Sequence, residues 1–196
     1  MTTIPQPIEI KFPGNTSFNE DEFFLFCQEN DHLQLERTRE GNLIVRPLSG
    51  GETSYRNSEI NTDLNNWNRK HKYGKVFDSN GGFRLPDGSM LAPDASVVSQ
   101  VRWEALTKEE RKKFSPLCPE FVVELKSESD RLTTLQTKMK NWLANGVKLG
   151  WLIDPEAETS YIYQPGKNME IVSGFDHHLL GQEVLKGFVF ELKILR

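Results

Sequence analysis

Cysteine and histidine are scarce in this chain, with two and four in 196 residues. Cys27 and Cys118 are too few for a disulfide framework and no export signal accompanies them, so both are expected as reduced, structural thiols. His177 and His178 are adjacent and would point to opposite faces of a strand. No metal-ligand spacing accompanies them, and they read as surface residues. A long apolar run is missing from the start. Residues 1 to 16, MTTIPQPIEIKFPGNT, hold three prolines and no continuous apolar stretch, which excludes a secretory h-region or a membrane span there and makes a cytoplasmic protein the expectation. Excess positive charge is missing too. The net charge is −4 and the pI about 5.7, so the chain does not coat nucleic acid by bulk electrostatics, although a local cationic cleft is still open to it. The densest basic run, Lys108 and Arg111 to Lys113, is interrupted by Glu109 and Glu110 and reads as a solvated helix or loop. There is no internal repeat and no low-complexity tract.

What is present is the composition of an ordinary globular protein, 37% hydrophobic and 27% charged, of a length that suits one domain over residues 1–196. FNEDEFFLFCQENDH predicts a short opening helix, and LQLERT and NLIVRP predict a hairpin around Glu40-Gly41-Asn42. From about Thr53 to His71, Ile60, Leu64, Trp67 and His71 recur at helical spacing and form one apolar stripe for a sheet. Residues 73 to 99 read as three short strands, YGKVFDS, GGFRL and APDASVVS, with turns at Asn80-Gly81 and Pro86-Asp87-Gly88. FVVELK is a more buried strand. Ser127 to Asp130 offers capping side chains to a helix with Leu132, Leu135, Met139, Trp142 and Leu143 on its apolar face and Gly146 as its stop. VKLGWLID follows as a strand, so strand, helix and strand in succession predict at least one parallel pair. The last forty residues read as β-hairpins.

Within FVVELKSESD, residues 121 to 130, side chains alternate, so Glu124 and Lys126 share a face of an otherwise apolar strand. Charges there need a partner, a water-filled cleft or a metal ion. Asp94, after Pro93 at the opening of another strand, is not explained by a turn as Asp87 is. Two neighbouring strands that carry Asp94, Glu124 and Lys126 form a three-point site. Hard oxygen ligands of this kind suit magnesium, and the lysine would orient the attacking water and offset charge on a phosphate.

The ordered pattern Pro93-Asp94, then Glu124-Leu125-Lys126, resembles the PD-(D/E)XK nuclease superfamily, and within it the Uma-type endonucleases. The resemblance runs over nearly the whole chain: a helix, a hairpin, the helix of Glu59, the Pro-Asp strand, the strand ending in VELKS, then KMKNWLANGV leading to LGWLIDP. It implies an α/β fold, a restriction-endonuclease-like mixed sheet with helices on both faces and extra C-terminal hairpins. It implies magnesium-dependent hydrolysis of DNA, with Asp94, Glu124 and Glu59 holding the ion and Lys126 serving the water, by a homodimer. Lys138 matches a lysine that relatives carry on the following helix, and Trp142 stands where many have tyrosine. In many relatives the helical lysine replaces the strand lysine; this chain has both, and the resemblance does not choose between them.

Blander readings stand beside these. Glu124 and Lys126 can be a charge pair protecting a sheet edge, Glu59 an ion-pair partner near Arg56 and Asp63, and Lys138 a lysine that lays its stem along an apolar face. The rival functions are a non-catalytic nucleic-acid-binding module and a protein-interaction domain on the same fold. With the carboxylates sharing an ion, Lys126 is expected beside Glu124, and Lys138 at the rim, where it would meet a phosphate.

Overall fold

The computed structural model describes residues 6–12 and 18–196. The expectation placed on residues 1 to 16 falls partly outside that description. The described elements are β1 (Ile8–Ile10), α1 (Glu20–Glu29), β2 (Gln34–Arg37), β3 (Leu43–Arg46), α2 (Gly51–His71), β4 (Gly74–Asp78), β5 (Phe83–Arg84), β6 (Met90–Leu91), β7 (Ala95–Ser99) and α3 (Gln100–Glu104). They continue with β8 (Phe121–Leu125), α4 (Leu132–Ala144), β9 (Leu149–Asp154), β10 (Thr159–Tyr163), β11 (Glu170–Ser173), β12 (His178–Leu180) and β13 (Val189–Glu191). A six-stranded mixed sheet in the order β11-β10-β9-β8-β7-β4 forms the centre, and its one parallel pair is β8 with β9. The expected α/β architecture is present.

Alternation along β8 divides the core. Phe121, Val123 and Leu125 pack with Ile60, Leu64 and Trp67 of α2, while Val122 packs with Leu135, Met139 and Trp142 of α4. The α2 stripe therefore covers one face of the sheet and α4 the other. α4 can lie close because β9 has no side chain at Gly150, where a Cβ would stand 2.3 Å from the Met139 methyl. Gly146 supplies the left-handed turn after α4, with φ of 113°.

Several boundaries differ from the sequence reading. Residues 73 to 99 hold four strands, and β5 and β6 leave the central sheet for a second, five-stranded antiparallel one in the order β1-β3-β2-β6-β5. The helix of Glu59 begins at Gly51, two residues earlier than expected. α4 has no side-chain cap. Asp130 accepts instead from the N–H and hydroxyl of Ser127, at 3.0 and 2.6 Å, closing a separate turn before the helix. The final GFVFELKIL is a short strand paired with β12, followed by a 3-10 turn over Leu192–Leu195 that buries both leucines. His177 and His178 are exposed, as expected.

Candidate active site

Asp94 immediately precedes β7, and Glu124 lies on β8 beside it. Ala95 is paired with Val123, so continuing the antiparallel register by one residue sets Asp94 opposite Glu124. Val123 points into the α2 side of the core, and alternation turns Glu124 to the α4 side, where it is buried. The Trp142 indole N–H donates to Glu124 Oε1 at 2.8 Å, and the Lys138 ammonium lies 2.8 Å from Oε1 and 3.0 Å from Oε2. Both donors come from α4 at a spacing of one turn, which brings them to one face of the helix.

Asp94 is half-buried. Its Oδ2 accepts from the Leu125 N–H at 2.7 Å and its Oδ1 from Asn57 on α2 at 3.2 Å. The second sheet supplies charges that the sequence reading did not single out. Glu36 on β2 is 3% exposed, and it accepts from Arg46 at 3.0 Å, from the Ala92 N–H at 2.9 Å and from Lys138 at 2.8 Å. Arg46 also faces Asp130 at 3.6 Å. Glu36 and Arg46 sit diagonally on one face of the β2–β3 hairpin, and that shared face was the readable signal.

Three buried or half-buried carboxylates thus meet two cations, and their protonation reflects who stands nearest. Burial pushes Glu124 up to about 7, with Asp94 and Glu36 adding to the rise against the pull of Lys138 and Arg46. Burial likewise raises Asp94, against the opposing Leu125 N–H and Lys138. Glu36 is buried as well, which would raise it, but Arg46 and Lys138 outweigh burial and hold it down to about 2. A depressed carboxylate stabilises the fold above its unfolded value and loses that contribution as pH falls through the folded one. The stability difference between wild type and Glu36→Gln is therefore expected to be on the order of 3 kcal/mol at neutral pH and to shrink between about pH 4.5 and pH 2, as read by denaturant unfolding at several pH values. A difference that stays constant down to pH 2 contradicts this account.

The structure exchanges the expected positions of the two lysines. β8 ends at Leu125, and the Lys126 N–H bonds to the Ile153 carbonyl at 2.8 Å. Its ammonium turns to Asp154 at 3.5 Å and Glu156 at 3.4 Å rather than to Glu124. Lys138, expected at the rim, is buried and also donates to the Ala92 carbonyl at 2.9 Å. Glu59 is half-buried on α2, with no hydrogen bond or ion pair to its carboxylate among the described residues. Arg56, its suggested surface partner, pairs with Glu52 at 2.9 Å.

Two openings reach the cluster. A cleft of about 660 Å³ is lined by Arg46, Asp94, Lys126, Asp130 and Glu156 among others, and a cavity of about 250 Å³ by Glu36, Arg46, Asp94, Glu124 and Lys138. Arg46 and Asp94 line both. Glu59 lines neither. Among the described residues no three acids, histidines or cysteines are grouped to hold an ion. Asp94 and Glu124 alone are a fitting donor set for magnesium, which takes one or two carboxylates and completes its shell with water and phosphate oxygens. Among the described residues no helix is long and apolar enough to cross a membrane.

Residues 20–193 match the model of the Uma2 family, described as a putative restriction endonuclease. The fold is similar to the crystal structure of a putative nuclease belonging to DUF820 from Anabaena variabilis, with a TM-score of 0.73 and 22% identity over 91% of this chain and 97% of that one. No curated protein matches.

Proposed function

We propose, for a chain that belongs to the Uma2 family of putative restriction endonucleases, that its reaction is magnesium-dependent hydrolysis of a DNA phosphodiester bond. The observation that carries this reading is the placement of Asp94, immediately before β7, beside Glu124 on β8, opening on one cavity with Lys138 between Glu124 and the second sheet. A magnesium ion on these carboxylates would supply charge neutralisation at the phosphate and a more acidic bound water. The chain's own residues do the rest. Asp94 and Glu124 hold the ion, Trp142 and Lys138 fix the rotamer of Glu124, and the Leu125 N–H fixes Asp94. Lys138, rather than Lys126, is the cation next to the metal-binding carboxylate and therefore the one proposed to orient the attacking water. Lys126 and Arg46 line the wider cleft, where they would meet the DNA backbone.

Glu59 is proposed as an outer member of the metal shell, acting through water from α2. Glu59→Gln is expected to weaken magnesium binding by about threefold to tenfold, less than the loss of a direct ligand, without changing the melting temperature. Isothermal titration calorimetry with magnesium reads this, and an unchanged affinity removes Glu59 from the site. A single domain over residues 1–196, a homodimer and a cytoplasmic location complete the proposal, and sedimentation tests the dimer. The deciding experiment is cleavage of plasmid and linear DNA with magnesium, manganese or calcium against a chelated control. Binding without cutting under every metal would favour the non-catalytic module, and no salt-sensitive binding at all the protein-interaction domain.

A further inference from the structure

The Lys138 ammonium has three N–H donors, and all have acceptors: the Ala92 carbonyl, Glu36 and Glu124. A lysine side chain is long and flexible, and placing its head costs rotamer entropy that a single partner does not recover. Glu36 is unusually well fixed for that task. Its Oε2 is held by Arg46 and its Oε1 by the Ala92 N–H, two residues before Asp94. The carboxylate therefore ties three things together: the hairpin that carries it, the segment leading into Asp94, and the lysine that meets Glu124. Both oxygens of this buried carboxylate are already taken up by the Ala92 N–H, Arg46 and Lys138, so its evident role is to hold those partners.

We propose that Glu36, braced by Arg46, is a positioning residue that holds the Lys138 ammonium against Glu124. This rests on the nuclease reading for its catalytic consequence but not for the contact itself. If Glu124 were to hold an ion, Glu36 with the Ala92 carbonyl would keep the Lys138 ammonium in place and leave its third donor for a water. Without Glu36 the head would keep only Glu124 and the Ala92 carbonyl, and an ammonium released from Glu124 would be held by Ala92 alone.

The contact is tested without any catalysis by nitrogen-15 NMR of the lysine ammonium groups. Wild type is expected to show one slowly exchanging ammonium signal, assigned by its loss in Lys138→Met. That signal is expected to exchange with solvent at least about tenfold faster in Glu36→Gln and in Glu36→Asp, whose shorter carboxylate stays with Arg46 but falls short of Lys138, as for the loss of one of three charge-assisted hydrogen bonds. Circular dichroism confirms that the variants are folded, and the Asp variant serves if the Gln variant is not. In the cleavage assay, both variants are expected to lose about 10- to 100-fold in kcat while KM for DNA and magnesium affinity move less than about threefold, as for other groups that orient a catalytic side chain. In a Lys138→Met background they should cause no further loss. Ammonium exchange as slow as in wild type in both Glu36 variants, a wild-type kcat, or losses that multiply with Lys138→Met would overturn the proposal. If wild type cuts no DNA but the NMR result holds, the nuclease reading falls and the positioning contact stands.

Discussion

Lys138→Met is expected to reduce metal-dependent cleavage at least about 100-fold, the scale of a lost general acid–base or charge-stabilising group, while Lys126→Met stays within about fivefold of wild type, the worth of a weak ion pair. The difference comes from the carboxylates that each ammonium faces. Up to Leu125 the strand alternation holds, and Glu124 is turned to α4. Lys126 follows Leu125 with its N–H still bonded to β9, and its head faces Asp154 and Glu156, of which Glu156 is largely exposed. Lys138 is bound to Glu124 itself. Removing a buried cation leaves Glu36 and Glu124 short of a partner, which can cost about 3 to 5 kcal/mol, so Lys138→Gln, which retains a donor, is the companion variant. Single-turnover cleavage on both, alongside melting curves, separates chemistry from stability. An active Lys138→Met and a dead Lys126→Met would return the catalytic role to the strand lysine.

Asp94→Asn should separate function from stability in the opposite direction. We expect magnesium affinity and cleavage to fall more than about 100-fold, beyond what loss of an orienting partner costs, because a direct oxygen ligand loses its charge. Folding stability should stay equal or rise. Asp94 is a carboxylate raised by burial and placed opposite Glu124, so neutralising it relieves a like-charge contact. The amide keeps an oxygen for the Leu125 N–H, and its new NH₂ has an acceptor at hand: Asn57 Oδ1 is buried with no partner and is presented by a flip of the Asn57 amide. Calorimetric titration with magnesium and a thermal melt of the metal-free protein check the two halves. A destabilised Asp94→Asn with unchanged metal affinity would mark Asp94 as a structural acid.

The parts of this molecule that were legible in its sequence are those with local period. The stripe of Ile60, Leu64 and Trp67, the apolar face of α4 and the alternation in FVVEL each repeat often enough to state a face, and the structure buries those faces. The parallel pairing of β8 and β9 followed from the helix between them. β5 and β6 are two residues long and show no alternation, so nothing local assigned them to a second sheet. The site was legible in its acids and not in its geometry. Asp94 and Glu124 stood out because charge in an apolar strand needs a reason. Glu36 and Arg46 did not, since a four-residue hairpin strand with charges is ordinary at a surface, and only the approach of Ala92 and Lys138 makes it an interior. Lys126 was misplaced because its ammonium pairs sideways with Asp154 and Glu156, beyond the reach of local periodicity, rather than back along the strand with Glu124.

The tie made by Glu36 has a kinetic side. Its contact with the Ala92 N–H closes a separation of 56 positions, and the contact of Lys138 with the Ala92 carbonyl one of 46. Closing such loops costs chain entropy before any contact rewards it, so these pairings are among the slow ones of folding. The central strands and α4 can assemble from nearer neighbours, and the hairpin docks onto them afterwards. A partly folded chain then has Glu124 and Lys138 together, across 14 positions, but without the Glu36 that steadies the ammonium, and is expected to be poorly active until the hairpin seats. For a protein proposed to cut DNA, such an order of folding would act as a safeguard, and amide exchange in β2 and β3 that is faster than in β8 and β9 would be its trace.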